Sequence, residues 1–186
     1  MKNKLSSKNI VLGVTGSIAA YKACELVSRL KEEGYTVYVI MTGPATKFIT
    51  PLTLMTLSGN RVYTEMFSET DHKPGHVSLA DRAGIILIAP ATADIIAKMA
   101  CGIADDLLTS TVLSTKAPVL VAPAMHRAMY ENRVTAENIK RLKKRGVMFI
   151  NPEYGRLASG DTGKGRLAKV ARIIEEVRKF AGKKNS

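Results

Sequence analysis

The feature that most constrains this chain is a set of short apolar runs without polar alternation. "IILIAP" (Ile85 to Pro90) and "PVLVAP" (Pro118 to Pro123) are apolar at every position. A strand with one wet face alternates apolar and polar residues, whereas a strand covered on both faces has no reason to. "NIVLGVT" from Asn9, "TVYVIMT" from Thr36 and "VMFIN" from Val147 follow the same pattern. Between the runs stand segments with helical spacing. "SIAAYKACELVSRLKEEG" stops at Gly34, and "TPLTLMTLSG" sets Thr50 as N-cap, Pro51 at the first helical position and Gly59 just past the end. "TADIIAKMACG", "DDLLTSTVLSTK" (capped by Asp105–Asp106), "TAENIKRLKKRG" and "LAKVARIIEEVRKFAG" complete the helices. Doubly buried strands alternating with helices predict an α/β fold: a doubly wound parallel sheet, Rossmann-like, in three α/β/α layers.

The 186 residues suit a single domain, expected over residues 9–182 between a basic tail (1–8) and a C-terminal tail (183–186). The stretch from Arg61 to His76 reads as a less regular excursion across the surface. A net charge of +12 raises nucleic-acid binding as a hypothesis. Much of the excess sits in the two tails and in "KRLKKR" (Lys140 to Arg145), where cations complement the end of a helix. With 5% aromatic residues and no tryptophan, stacking platforms for bases are scarce, so a solvated basic surface is the preferred reading. No apolar run is long enough to span a bilayer. Cys24 and Cys101 have no paired spacing and there is no signal peptide, so the expected setting is a reducing cytoplasm.

In open parallel sheets, ligands bind beyond the carboxyl ends of the strands. Four strand ends carry matching chemistry: "TGS" at Thr15, "MTGPA" at Met41, "APATAD" at Ala89 and "APAMH" at Ala122. Each offers small residues, hydroxyls or free amides beside a helix start, which suits a flat phosphorylated ligand. Tight packing selects Gly and Ala in such turns too, so the weight lies in four of them converging. "GVTGSIAA" lacks the third glycine of a dinucleotide fingerprint, and "GDTGK" is not a Walker motif, so a mononucleotide such as FMN fits better than NAD or ATP. No two ligands stand at metal-site spacing, so no metal site is expected. Three histidines are candidates for proton transfer: His72, His76 and His126. Topology puts His126 in the crevice, while His76 follows a glycine at the start of a short helix.

The stretches "GVTGSIAAYKA", "MTGPATKFITPLTLMTLSG", "HVSLADRA", "APATADIIAKMACGIADDLLTST" and "APAMHRAMYEN" resemble the homo-oligomeric flavin-containing cysteine decarboxylases over nearly the whole chain. The resemblance implies FMN, held by Gly16, Ser17, Ile18, Thr42, Phe48, Thr92, Ala93, Asp94 and Ala124. It implies His76 as the catalytic base and promotes it above His126. It also implies decarboxylation of phosphopantothenoylcysteine to phosphopantetheine in coenzyme A biosynthesis: the thiol is oxidised, CO₂ leaves, and the enethiolate is reduced again. The cysteine nitrogen of such a substrate is an amide and cannot form a Schiff base, which is why a flavin is wanted. The family implies a homotrimer or an assembly of trimers, with flavin at a subunit contact, and in bacteria a frequent fusion to a synthetase domain. "YGRLASGDTGKGRLAK" is expected to be a flexible flap, about residues 153–167, whose glycines give hinge freedom.

His126, Met125, Arg156, Leu157, Ala158, Lys164 and Arg166 are the implied substrate contacts. Two positions depart from the family pattern. His126 stands where an Asn commonly holds the substrate carboxylate, and Ser159 stands where a Cys often supplies the last proton. Asp161, Lys164 and His126 are then the alternative donors. Other readings of the same fold are a peptidyl-cysteine decarboxylase, a flavin prenyltransferase, a flavin-dependent reductase and a non-catalytic FMN-binding regulatory subunit. The last has no need of His76.

Overall fold

A computed structural model describes residues 8–67 and 75–182. The basic tail before Lys8, His72 and the last four residues therefore lie outside the described residues. Six strands form one parallel sheet: β1 (Asn9–Val14), β2 (Thr36–Met41), β3 (Val62–Tyr63), β4 (Ile85–Ala91), β5 (Val119–Pro123) and β6 (Met148–Phe149). Their order is β3-β2-β1-β4-β5-β6. The order reverses between β1 and β4, which is where such sheets bind ligands.

The strands lack polar alternation because each face packs against helices. Ile10, Leu12 and Val14 of β1 and Leu120 and Ala122 of β5 bury against α1 (Lys22–Glu32), α2 (Pro51–Ser58) and α8 (Val170–Gly182). Val11, Val119 and Val121 point the other way, with Ile86 and Ile88 of β4, onto α3 (Gly75–Arg82), α4 (Ala93–Cys101), α5 (Leu107–Ser114) and α7 (Arg133–Lys144). All seven residues of β4 are buried. Burying a Leu, Ile or Val side chain contributes ~1.5–3 kcal/mol, so these two clusters supply most of the folding drive. Gly13 lets α5 approach the sheet, since a Cβ there would lie 2.6 Å from Leu108 Cδ1.

The helix signals read from the sequence hold where caps are strong. Thr50 Oγ1 accepts from Thr53 N–H, and Gly59 closes α2 in the left-handed region at φ 68°. Asp106, rather than the Asp105–Asp106 pair, makes the capping box of α5, with both reciprocal bonds to Thr109. Elsewhere the structure corrects the expectation. The first helix is split into a 3-10 turn (Ile18–Tyr21) and α1, and a second 3-10 turn spans Gly43–Lys47. A short helix α6 (Arg127–Glu131) follows His126. The excursion after Arg61 opens with the edge strand β3, and its residues 68–74 lie outside the described residues.

The glycine-rich stretch is a two-stranded antiparallel hairpin, β7 (Glu153–Arg156) with β8 (Thr162–Arg166). Its glycines are mostly contact positions rather than hinges. A Cβ on Gly163 would lie 2.4 Å from Arg127 Cδ, and one on Gly165 would lie 2.3 Å from the Met125 carbonyl oxygen. Two of them hold a positive φ, Gly160 at the tip with φ 92° and Gly165 with φ 157°.

Candidate functional site

The turns after β1 and β4 meet first. Thr15 Oγ1 donates to the Pro90 carbonyl at 2.8 Å and accepts from the Thr92 amide at 3.0 Å. The Thr92 hydroxyl lies 3.1 Å from the same Oγ1. This buried hydroxyl joins the two strands at the point where the sheet order reverses. Gly16 follows because of Pro44: a Cβ on Gly16 would lie 2.4 Å from Pro44 Cβ. Packing alone thus requires that glycine. Ser17 caps the 3-10 turn, with its Oγ accepting from Ala19 N–H at 3.3 Å.

Over these turns lies a cavity of about 760 Å³, within the usual range of ligand clefts. Gly16, Ser17 and Ile18 line it from the first turn, and Thr92, Ala93 and Asp94 from the start of α4. Ala124, Met125 and His126 line it from the turn after β5, and Arg156, Leu157, Ala158, Ser159 and Arg166 from the hairpin. Fourteen of the residues singled out in the sequence thus share one cavity. Tyr21, Lys22, Met129, Gly165 and Leu167 also line it. Sequence reading missed these because they sit inside helices or strands or, for Leu167, just past one, where only tertiary packing turns a side chain toward a cleft. Among the described residues, the cationic side chains on the wall (Lys22, Arg156 and Arg166) outnumber its one carboxylate, Asp94, so the field favours an anionic ligand.

Four other candidates do not line the cavity of the single chain. Thr42 follows β2 as the N-cap of the second 3-10 turn, with its Oγ1 buried and unpartnered among the described residues. Phe48 is 47% exposed beyond it. The Lys164 ammonium stands 5.7 Å over the Tyr130 ring. His76 is the second residue of α3, half-buried, with Nδ1 enclosed and unpartnered among the described residues.

The cavity is closed on one side by the hairpin. At its base the Met125 amide donates to the Gly165 carbonyl at 3.0 Å. At its tip His126 Nε2 is 3.1 Å from Asp161 Oδ2, and the Ser159 hydroxyl donates to the same oxygen at 3.1 Å. His126 is also the N-cap of α6: its Nδ1 accepts from Ala128 N–H at 3.2 Å. That bond leaves the ring proton on Nε2, pointing at the carboxylate. The hydrogen bond from His126, and then that from Ser159, hold the Asp161 carboxyl below the usual carboxylate range. No group of three or more metal-ligating side chains occurs among the described residues. No described helix is long and apolar enough to cross a membrane.

Comparison with known proteins gives the same picture. A relative from Vibrio cholerae serotype O1, the coenzyme A biosynthesis bifunctional protein CoaBC, is 45% identical over 177 residues, covering 95% of this chain and 44% of its own length. The chain therefore spans less than half of that relative. A cysteine-to-serine variant of PPC decarboxylase complexed with pantothenoylaminoethenethiol superposes with a TM-score of 0.84 at 31% identity, covering 92% of this chain and 97% of that one. The FMN-dependent cysteine decarboxylase SpaF superposes with a TM-score of 0.83 at 27% identity, covering 96% and 99%. The family model described as Flavoprotein matches residues 1–182, and the chain belongs to that flavoprotein family.

Proposed function

We propose that the chain binds FMN and decarboxylates 4'-phosphopantothenoylcysteine to 4'-phosphopantetheine. The observation that carries this reading is one cavity with two kinds of wall. Its floor is made of small and hydroxylated residues at the sheet reversal, and its lid is a cationic hairpin. The V. cholerae relative and the PPC decarboxylase structure support the substrate class, and SpaF supports the cofactor.

The residues present fit FMN. Ser17, Thr92 and the amides opening two helical segments suit its phosphate, and Ile18, Met129 and Leu157 offer apolar wall to a flat ring. When bound, FMN supplies a two-electron hydride acceptor and donor. The protein's own part is to orient and to move protons. Lys22, Arg156 and Arg166 attract the anionic substrate. His126 Nε2–H and the Ser159 hydroxyl are placed to donate to a carboxylate. The hairpin excludes water from the reacting carbon.

His76 is the proposed thiol base. It lies outside the single-chain cavity, so it reaches the reacting sulfur across a subunit contact in a homotrimer or an assembly of trimers. Apolar side chains at the surface support such a contact: Ile18, Leu52 and Phe67 are 57%, 63% and 86% exposed, and Val77 beside His76 is 39% exposed. A phosphopantothenoylcysteine synthetase, fused or separate, is the proposed partner, and the cytoplasm the proposed setting. Both described cysteines are free thiols.

Purified protein reconstituted with FMN should absorb in the near-ultraviolet and blue, and should release CO₂ from phosphopantothenoylcysteine. No flavin absorbance sinks the reading. Equal rates for the native protein and His76→Asn remove that histidine from the mechanism. Ser159, standing where the resemblance expects a Cys, favours a second reading in which the enethiol itself is released. A product lighter than phosphopantetheine by two hydrogens identifies that outcome.

A further inference from the structure

Two hydrogen-bond donors from separate elements, the turn after β5 and the hairpin tip, converge on a single oxygen, Asp161 Oδ2. His126 Nε2 and Ser159 Oγ each lie 3.1 Å from it. Both donor residues line the cavity, and Asp161 does not: it reaches them from outside, with its side chain 62% exposed. The arrangement is that of a carboxylate held by two donors. The geometry points to Asp161 as an internal stand-in for the carboxylate of the ligand: Asp161 and an acidic ligand compete for His126 and Ser159, and the ligand is admitted by exchange. The inference rests on the proposed reading that the cavity takes a substrate carboxylate.

Three observations make exchange physically reasonable. First, the donor at His126 is fixed independently of its acceptor. Nδ1 is occupied by the Ala128 amide, so Nε2–H stays available whichever carboxylate it meets. Second, little burial is lost when Asp161 turns outward, and a solvent-exposed hydrogen bond is weak enough to be replaced by one to another carboxylate. Third, the hairpin does not depend on this contact alone for its position. Its base is held by the Met125 amide on the Gly165 carbonyl, and its tip turn by the Leu157 amide on the Asp161 carbonyl at 2.7 Å. The other charges on the hairpin and on α6 beside it include Arg127, whose Nε is bound to Glu131, Lys164, whose ammonium stands over the Tyr130 ring, and Arg156 and Arg166 on the cavity wall. Those two arginines remain available to the incoming anion.

The test measures binding to FMN-loaded protein by calorimetry, with two small probes. N-acetylserine carries the carboxylate, and its hydroxyl replaces the oxidisable thiol so that nothing turns over. N-acetylethanolamine is the same molecule without the carboxylate. Asp161→Asn should tighten N-acetylserine about three- to fivefold and leave N-acetylethanolamine unchanged. Asp161→Ser should act in the same direction. If Asp161 merely repelled anions, Asp161→Asn would tighten N-acetylserine equally in a His126→Ala background; competition for His126 predicts that the gain shrinks there. An equal gain in both backgrounds, an unchanged affinity, equal effects on the two probes, or no binding of N-acetylserine to either form overturns the inference. Failure of the decarboxylase reading has a different signature: no CO₂ release, with the probe affinities still responding to residue 161.

Discussion

At the scale of single residues, Asp161 gathers the consequences. Its carboxyl is lowered first by the His126 bond and then by the Ser159 bond. A carboxyl lowered on folding stabilises the folded arrangement above its unfolded value, about 3.9, and that contribution is lost as pH falls through the lowered value. Protection of the hairpin-tip amides from exchange should therefore hold at neutral pH and drop below about pH 4. Protection that persists until the whole chain unfolds in acid contradicts this. Ser159 directs its proton at that same carboxylate, so Ser159→Ala should keep product formation within a few-fold, and Ser159→Cys should be tolerated. A loss of ~10²-fold or more in Ser159→Ala would instead mark the serine as a general acid. The sequence singles out His126 by its turn, and the family resemblance adds Ser159 and Asp161 separately. Their meeting at one oxygen was not legible, because it depends on a hairpin folding back across the turn after β5.

At the scale of elements, the hairpin and the caps give opposite lessons. A Cβ at residue 165 meets a backbone oxygen that cannot move aside, whereas one at Gly155 meets the flexible end of Arg166, at 2.7 Å from Nη1. Gly165→Ala should lift the hairpin and speed limited proteolysis within residues 153–166, while Gly155→Ala should leave the cleavage rate near that of the native chain. Asp106→Ala removes a capping box and should cost ~0.5–2 kcal/mol, read from urea unfolding. Caps such as Thr50 and Asp106 could be read ahead of time because the side chain and the backbone it satisfies are three residues apart. The hairpin could not, since its glycines serve neighbours elsewhere in the fold: Gly163 serves Arg127 and Gly165 serves Met125. Read locally, they looked like freedom. In the structure they are points of close approach.

At the scale of the whole molecule, the two-faced sheet governs stability. Ile86 is fully buried between the centre of the sheet and α3, α4 and α5. Ile86→Ala should cost ~2–5 kcal/mol. At about 2–4 °C per kcal/mol for a chain of this size, Tm should fall by ~4–20 °C in a thermal melt. A smaller loss would mean that the two helical layers close the gap. This layering was legible because an unbroken apolar strand has only one kind of environment available to it. The placement of His76 was not, because the cavity it is proposed to serve is bounded within one chain by other residues. The Thr15 hydroxyl that ties β1 to β4 bridges positions 75 and 77 residues apart in sequence. Contacts of such separation form late, after the chain between them has been ordered. Ligand binding is therefore a clock on folding. A chain whose two halves have not yet met offers no floor for the ligand, and a ligand that waits for that floor shifts the balance toward the finished molecule by mass action.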